Sequence, residues 1–321
     1  MPMTSKEIVS RTIRFEGAER FPYALDDEHG TDFAGAGMNP SPDARPGSGV
    51  DEWGCLWKNI GISKMGEVAE FPLKDWSDLA KLKIPDITAP ERWESLDGAR
   101  ESAGDRFLIA SGVSLYERVH FLRGLENTWV DIYNAPEELG RLIDILADMN
   151  IYAIDRFARA GADGCMWCDD WGLQNGLMIS PESWRKIWKP RYERVYKACH
   201  DAGLLTFLHS CGDITSILDD FIEIGLDVIQ MDQQENMGLE SLGERFAGRI
   251  TFWCPADIQS VMAKGDAREI RDYCGKLVKT LGKPEGGFMA KYYSDPAGAG
   301  HSPGAVSAMC DEFVRLSGST S

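Results

Sequence analysis

The segment Leu204-Leu205-Thr206-Phe207-Leu208-His209-Ser210-Cys211-Gly212-Asp213 puts an imidazole and a thiol two residues apart at the end of an apolar run. In an extended strand, residues i and i+2 point to one face, so His209 and Cys211 are presented together. An imidazole and a thiolate are half of a zinc site, and Gly212 lets the backbone turn away behind them. The other half must come from elsewhere in the chain. Cys165-Met166-Trp167-Cys168 looks like a metal or redox pair. Residues three apart in a strand face opposite sides, however, so only Cys168, nearer the strand end, is expected in the same mouth. Asp169 and Asp170 follow directly. Adjacent carboxylates repel unless something cationic or polar compensates, which suits binding of substrate or metal, or an N-terminal cap for the next turn. A further mixed group, Asp26-Asp27-Glu28-His29, could hold a metal or a polar substrate, or form a solvated acidic loop.

The elements that must position these groups alternate. Apolar runs predict strands at 21–25, 107–111, 163–168, 204–209, 226–231, 250–254 and 287–291. Helices are expected between them. One starts near residue 134, buries Leu139, Leu142, Ile143, Leu146, Ala153 and Phe157, and ends at Gly161. The next opens on Ser180-Pro181, kinks at Pro190 and closes at Gly203. Others are expected from the Asp213 cap to Gly225, at 238–247, from the Asp266 cap over 267–281, and at 303–316.

Strand–helix alternation of this kind gives a parallel sheet covered by helices. Seven strands without a Gly-x-Gly-x-x-Gly turn favour a closed barrel over an open dinucleotide-binding sheet. The expectation is therefore an α/β chain, a (β/α)8 TIM barrel forming one domain over 1–321, with its eighth strand demanded by closure rather than read from a pattern. Regular βα units occupy about 107–316, and an N-terminal elaboration about 1–106. The elaboration includes a Gly-, Pro-, Ser- and Asp-rich loop at 30–50, a lid candidate, and a short ordered segment at 51–57.

Active sites of such barrels lie at the C-terminal ends of the strands. Those ends carry Ser114, Tyr116 and Glu117; Cys168, Asp169, Asp170, Trp171 and Gln174; His209 and Cys211; Asp232, Gln233 and Gln234; Cys254 and Asp257; and Tyr292, Tyr293, Ser294 and Asp295. Asp169, Asp170 and Glu117 are the catalytic candidates, and His209, Cys211 and Cys168 the metal candidates. Tyr116, Trp171, Gln174, Asp232, Tyr292 and Tyr293 are the substrate-binding candidates, with Trp57 and Trp167 as further aromatic lining. Cys199 and Cys274 fall on apolar helix faces and read as core.

Bulk properties exclude several classes. A formal charge of −17, from 34 Lys+Arg against 51 Asp+Glu, argues against a nucleic-acid surface. No secretory signal is visible at the N-terminus, and no apolar run approaches the ~20 residues of a membrane helix. Eight cysteines in 321 residues are too sparse for a disulfide scaffold. They read as reduced, hence a cytoplasmic protein.

Asp-Asp-Trp-Gly-x-Gln-x-Gly-Leu-Met-Ile-Ser-Pro at 169–181 resembles the uroporphyrinogen decarboxylase superfamily. So do His-Ser-Cys-Gly-Asp at 209–213, Gly-Leu-Asp-Val-Ile at 225–229 and Gly-Gly-Phe-Met at 286–289. The resemblance covers roughly 107–316, with a weaker echo at Asp51-Glu52-Trp53-Gly54. The His-x-Cys-Gly motif is similar to the corrinoid-dependent methyltransferase branch, which includes methylcobamide:coenzyme M methyltransferases and demethylases of methoxylated aromatics. It implies a (β/α)8 barrel and a zinc held by His209, Cys211 and a further Cys near the last strand. That further position falls close to Ser294 here, which leaves Cys168, Asp295, Cys254 and Glu117 as third-ligand candidates. The arginine-rich N-terminal segment of the decarboxylases is replaced by acids over 20–27.

The function implied is zinc-assisted transfer of a methyl group between a small methoxylated or methylthiol-type substrate and a corrinoid (cobalamin-type) cofactor carried by a partner protein, O-demethylation being one form. The alternatives are a metal-free decarboxylase acting on a smaller acid and a non-catalytic barrel that binds a ligand or partner. Expected partners are the small methyl donor or acceptor and the corrinoid protein, with no nucleic acid and no membrane, and a homodimer left open.

Overall fold

The computed structural model describes residues 2–41, 49–59 and 66–318. Its strands are β1 (Tyr23–Ala24), β2 (Phe33–Ala36), β3 (Leu56–Asn59), β4 (Gly66–Glu70), β5 (Phe107–Ser111), β6 (Gly164–Cys168), β7 (Gly172–Leu173), β8 (Gly176–Leu177), β9 (Leu205–His209), β10 (Val228–Gln230), β11 (Thr251–Cys254) and β12 (Phe288–Lys291). Eight of them form one sheet in the order β1-β12-β11-β10-β9-β6-β5-β2, and every strand pair in it is parallel. β3–β4 and β7–β8 are separate antiparallel hairpins. The fold is the expected α/β barrel of TIM type.

The helices are α1 (Ser5–Ile13), α2 (Ala99–Ala103), α3 (Tyr116–Arg123), α4 (Leu125–Asn134), α5 (Pro136–Arg159), α6 (Pro181–Ile187), α7 (Lys189–Asp201), α8 (Leu218–Glu223), α9 (Leu239–Phe246), α10 (Ala267–Leu281) and α11 (Pro303–Gly318). None among the described residues is long and apolar enough to cross a membrane. All eight cysteines are unpaired.

Period-2 alternation divides the strands into two packed layers. Phe33, Phe107, Phe207, Val228, Trp253 and Met289 face inward and pack on one another, with Val9 and Ile13 of α1. Their strand neighbours, among them Ala110, Cys165, Trp167, Leu208, Ile229, Phe252, Cys254 and Ala290, face outward into the larger core under the helices.

Three details depart from the expectation. The eighth strand is β2, inside the segment read as a loop at 30–50. Phe33 pairs with Phe107 and Ala36 with Ala110, so a short Phe-Ala-Gly-Ala run is made extended by its neighbour β5 rather than by its own pattern. Residues 42–48 of the lid candidate lie outside the described residues. The helix expected from 180 to 203 breaks at Trp188 into α6 and α7, with Pro190 in the first turn of α7, where no N–H is missed. Asp213 caps a turn, accepting from the Thr215 N–H and hydroxyl, and the helix begins only at Leu218.

Closure is made at the β1/β2 seam, and largely by one side chain. The Asp32 N–H donates to the Tyr23 carbonyl at 2.9 Å. The Asp32 carboxylate, 2% exposed, accepts from the Tyr23 N–H, the Ser5 hydroxyl and both terminal nitrogens of Arg20.

Candidate active site and metal centre at the barrel mouth

The inward face of each strand continues upward from the apolar floor. On β9 it runs Leu205, Phe207, His209; on β6, Met166, Cys168; on β10, Val228, Gln230; on β12, Met289, Lys291. Cys168 pairs with His209, and His209 with Gln230, across three adjacent strands. The same parity that builds the floor thus sets Cys168, His209, Gln230 and Lys291 side by side at the mouth.

Ligand atoms of Cys168, Asp170 and His209 all lie within 4.8 Å of one another. Cys211 Sγ is 3.3 Å from His209 Nε2, and Asp170 Oδ1 is 3.4 Å from the same nitrogen. Asp170 Oδ1 also accepts the Cys211 N–H at 2.8 Å. His209 Nδ1 meets Gln230 Oε1, which fixes Nδ1 as the protonated nitrogen and turns the Nε2 lone pair toward the sulfur and carboxylate. Gln230 is itself held through its Nε2, which donates to Asp232 Oδ1 at 2.6 Å; Lys291 Nζ donates to the same oxygen at 3.2 Å.

One imidazole nitrogen, two sulfurs and a carboxylate oxygen are a donor set that fits zinc, with the second imidazole nitrogen already engaged. Burial raises both thiols. Nearby carboxylates raise them further: Glu117, Asp170 and Asp169 act on Cys168, and Asp170 and Asp232 on Cys211. A cation is what would make them thiolates.

Beside this group stands Glu117, in the first turn of α3. Burial first, then the charges of Asp170 and Asp169, push its carboxyl up to about 8. It is therefore a neutral, proton-bearing acid at pH 7. Asp169 is different. It is fully buried, and accepts the N–H groups of Leu115, Tyr116 and Glu117 at 3.1, 2.8 and 2.9 Å and the Tyr192 hydroxyl at 2.7 Å. Burial pushes its carboxyl up to about 6, against those hydrogen bonds. Its oxygens are spent on the N-terminus of α3, so it positions Glu117 and does not face the mouth.

Two glycines lock the loops that carry Asp170 and Cys211. Gly172 N–H donates to the Cys211 carbonyl and Asp213 N–H to the Leu173 carbonyl. Gly212, at φ +73°, lies so close that a Cβ there would come within 2.3 Å of the Gly172 backbone.

Several sequence-based candidates fall elsewhere. Trp171 and Tyr116 are corrected from substrate contacts to core: their rings stack at 3.9 Å between centroids, 0% and 1% exposed. Trp167 is likewise buried, its indole N–H on Asn150. Cys254 neighbours the inward Trp253 and so points outward into the helical layer, which removes it as a ligand. Ser294 is exposed, and Asp295 is outside the Cys168–Asp170–His209 group. Gln174 sits exposed at the tip of the β7–β8 hairpin. Tyr292 and Tyr293 are half-buried beyond β12. The Tyr293 hydroxyl is raised by burial and by the charges of Asp232 and Cys211, which puts it near the site. Asp232 is buried as the brace of Gln230 and Lys291. Gln230, Lys291 and Tyr192 were not singled out from sequence. Gln230 was detectable, being two residues before Asp232 on a strand.

The chain is similar in structure to a methyltransferase from Methanosarcina mazei, with a TM-score of 0.67 at 17% identity, covering 98% of this chain and 99% of that one. At that identity the likeness speaks for the fold. A weaker likeness, TM-score 0.48 at 14% identity over 69% of this chain and 66% of that one, is to a B12-independent methionine synthase from a Shewanella species. No curated protein matches. Residues 60–286, more than half of the chain, match the family model described as uroporphyrinogen decarboxylase (URO-D). The chain belongs to the URO-D family.

Proposed function

We propose that this chain is a methyltransferase that moves a methyl group between a small methoxylated or methylthiol-type substrate and a corrinoid carried by a second protein. His209, Cys211 and Cys168 would hold a zinc, with Asp170 beside them. The observation that carries the reading is the convergence of Cys168, Asp170 and His209 at the C-terminal strand ends, with Cys211 Sγ 3.3 Å from the same imidazole and Glu117, its carboxyl pushed up to about 8 by burial, beside them. Bound there, zinc would act as a Lewis acid on the substrate oxygen or sulfur.

The protein's own groups do the rest. Gln230 keeps His209 in one tautomer and orientation. Asp170 binds the Cys211 N–H and fixes the loop that carries the thiol. Glu117 holds its proton on a carboxyl oxygen and gives it to the oxygen that loses the methyl group, becoming a carboxylate as the alcohol forms. Asp169 holds Glu117 in place by its backbone.

Decarboxylation of a polyacid is disfavoured by the charges. Asp170 and Asp232 line this end of the barrel, Lys291 is bonded to Asp232, and Arg20 is engaged by Asp32 near the strand starts. The test has two parts. Metal analysis should find about one zinc per chain fewer in Cys211→Ser than in wild type; equal contents would overturn the zinc assignment. Absorbance of a reduced corrinoid should shift to its methylated form when methoxylated aromatic or methylthiol donors are supplied. A chain that decarboxylates fully after chelation and transfers no methyl group is a decarboxylase instead.

A further inference from the structure

The acidic turn after β1 does not join the barrel mouth. Leu25 packs in the outer layer, and the turn 26–30 is fixed by the His29 and Gly30 N–H groups on the Asp26 carbonyl at 3.1 and 2.9 Å. This directs Asp26 and His29 outward onto α11, where they meet Cys310. A carboxylate oxygen of Asp26, a ring nitrogen of His29 and Cys310 Sγ lie within 4.8 Å of one another. We propose that Asp26, His29 and Cys310 form a second metal site, for a zinc-class divalent cation, that clasps the β1–β2 turn to the last helix.

Three features set this group apart from a buried thiol beside a satisfied histidine. The donors are of three kinds, O, N and S, a combination that selects zinc-class ions over calcium or magnesium. The imidazole is already oriented as metal-bound imidazoles are: Nδ1 faces Asp26 Oδ1 at 2.6 Å, while Nε2 is held by Asp311 Oδ1 at 3.0 Å. Finally, two proton-bearing groups converge on one carboxylate. The His29 Nδ1–H points at Asp26, and the Cys310 thiol, fully buried, lies within 4.8 Å of the same carboxylate.

One divalent cation would replace both protons. Binding forms metal–O, metal–N and metal–S bonds, releases one proton from the imidazolium and one from the thiol, and leaves His29 neutral with Nε2–H on Asp311. The 2.6 Å N···O contact would open to about 3.3 Å, as bonds of ~2.0–2.1 Å require. Three protein donors leave a fourth position to water. The turn and α11 flank the seam where the barrel closes, so occupancy should raise stability.

The test uses the full chain carrying Cys168→Ser and Cys211→Ser, which removes the thiols of the mouth, so the outcome does not depend on the function proposed above. After chelation and desalting, Co2+ is titrated in. The expected result is a thiolate-to-cobalt charge-transfer band saturating at one equivalent, together with a rise in Tm on adding Zn2+. Both should be lost in the same background with Cys310→Ala. His29→Gln and Asp26→Asn, at partly exposed positions, should each weaken Co2+ binding by tenfold or more. Absence of the band in the parent background, or a band that survives Cys310→Ala or is unmoved by His29→Gln, overturns the proposal.

Discussion

Glu117 and Gln230 carry the sharpest consequences for single side chains. Glu117→Gln removes the proton but keeps the shape, and is expected to lower kcat by roughly 10²–10⁴-fold. In wild type, activity that needs the protonated acid should fall as pH rises through about 8, and that limb should vanish in the variant. Stability follows the same direction with pH. The Glu117 carboxyl sits at about 8 folded against an ordinary value of 4.5, so the folded state binds more protons across that window and stability declines as pH rises through it. Urea denaturation at pH 8 should therefore find Glu117→Gln more stable, on the order of 1–3 kcal/mol after allowance for solvent screening. Gln230→Leu frees Nδ1 and leaves Asp232 to Lys291 alone. Chelator competition should show metal affinity at the mouth reduced about 10–100-fold.

Among the elements, the β7–β8 hairpin and the Cys211 loop meet backbone to backbone, beside the Asp170 and Gln233 side chains that bind the Cys211 and Gly212 N–H groups. Gly212→Ala combines a positive φ of +73° with a Cβ 2.3 Å from the Gly172 backbone, where no side chain can give way. Gly203 provides the control, because it has φ +79° and nothing within 4 Å of an added Cβ. Urea midpoints should show Gly203→Ala costing about 1–2 kcal/mol, the left-handed strain alone. Gly212→Ala should cost at least about 3 kcal/mol, since the two loops must also separate. Equal losses would mean that the contact is soft.

The molecule as a whole closes on Asp32. Three parallel βα crossovers bring β6, β9, β10 and β11 together in register, but β1 and β2 are joined by a short turn and share only a sparse backbone seam. Asp32 compensates by binding the Tyr23 N–H, Ser5 and Arg20 at once while almost fully buried. Asp32→Ala leaves a guanidinium and a backbone N–H without their partner, and should cost about 3–5 kcal/mol by denaturation. Amide exchange at Tyr23 should accelerate more than at Phe207, at the centre of β9. Uniform acceleration would mean that the seam is no weaker than the rest of the barrel.

Local periodicity carries far in this chain. The apolar runs at 107, 163, 204, 226, 250 and 287 and the helices between them follow from spacings of two and about four residues, which each segment states for itself. His209 and Cys211 share a face for the same reason, and Cys165 is set apart from Cys168. What the sequence left open are the features made by partners distant along the chain. β2 is extended because β5 pairs with it. Cys254 is excluded and Cys168 admitted by which side of their strands the barrel encloses. Asp169 becomes a positioning group only when α3 is brought beneath it, and His29 meets Asp311 across 282 residues. A one-dimensional pattern records the face a side chain takes on its own element. Which face becomes a site, a seam or a core is decided by what packs against it.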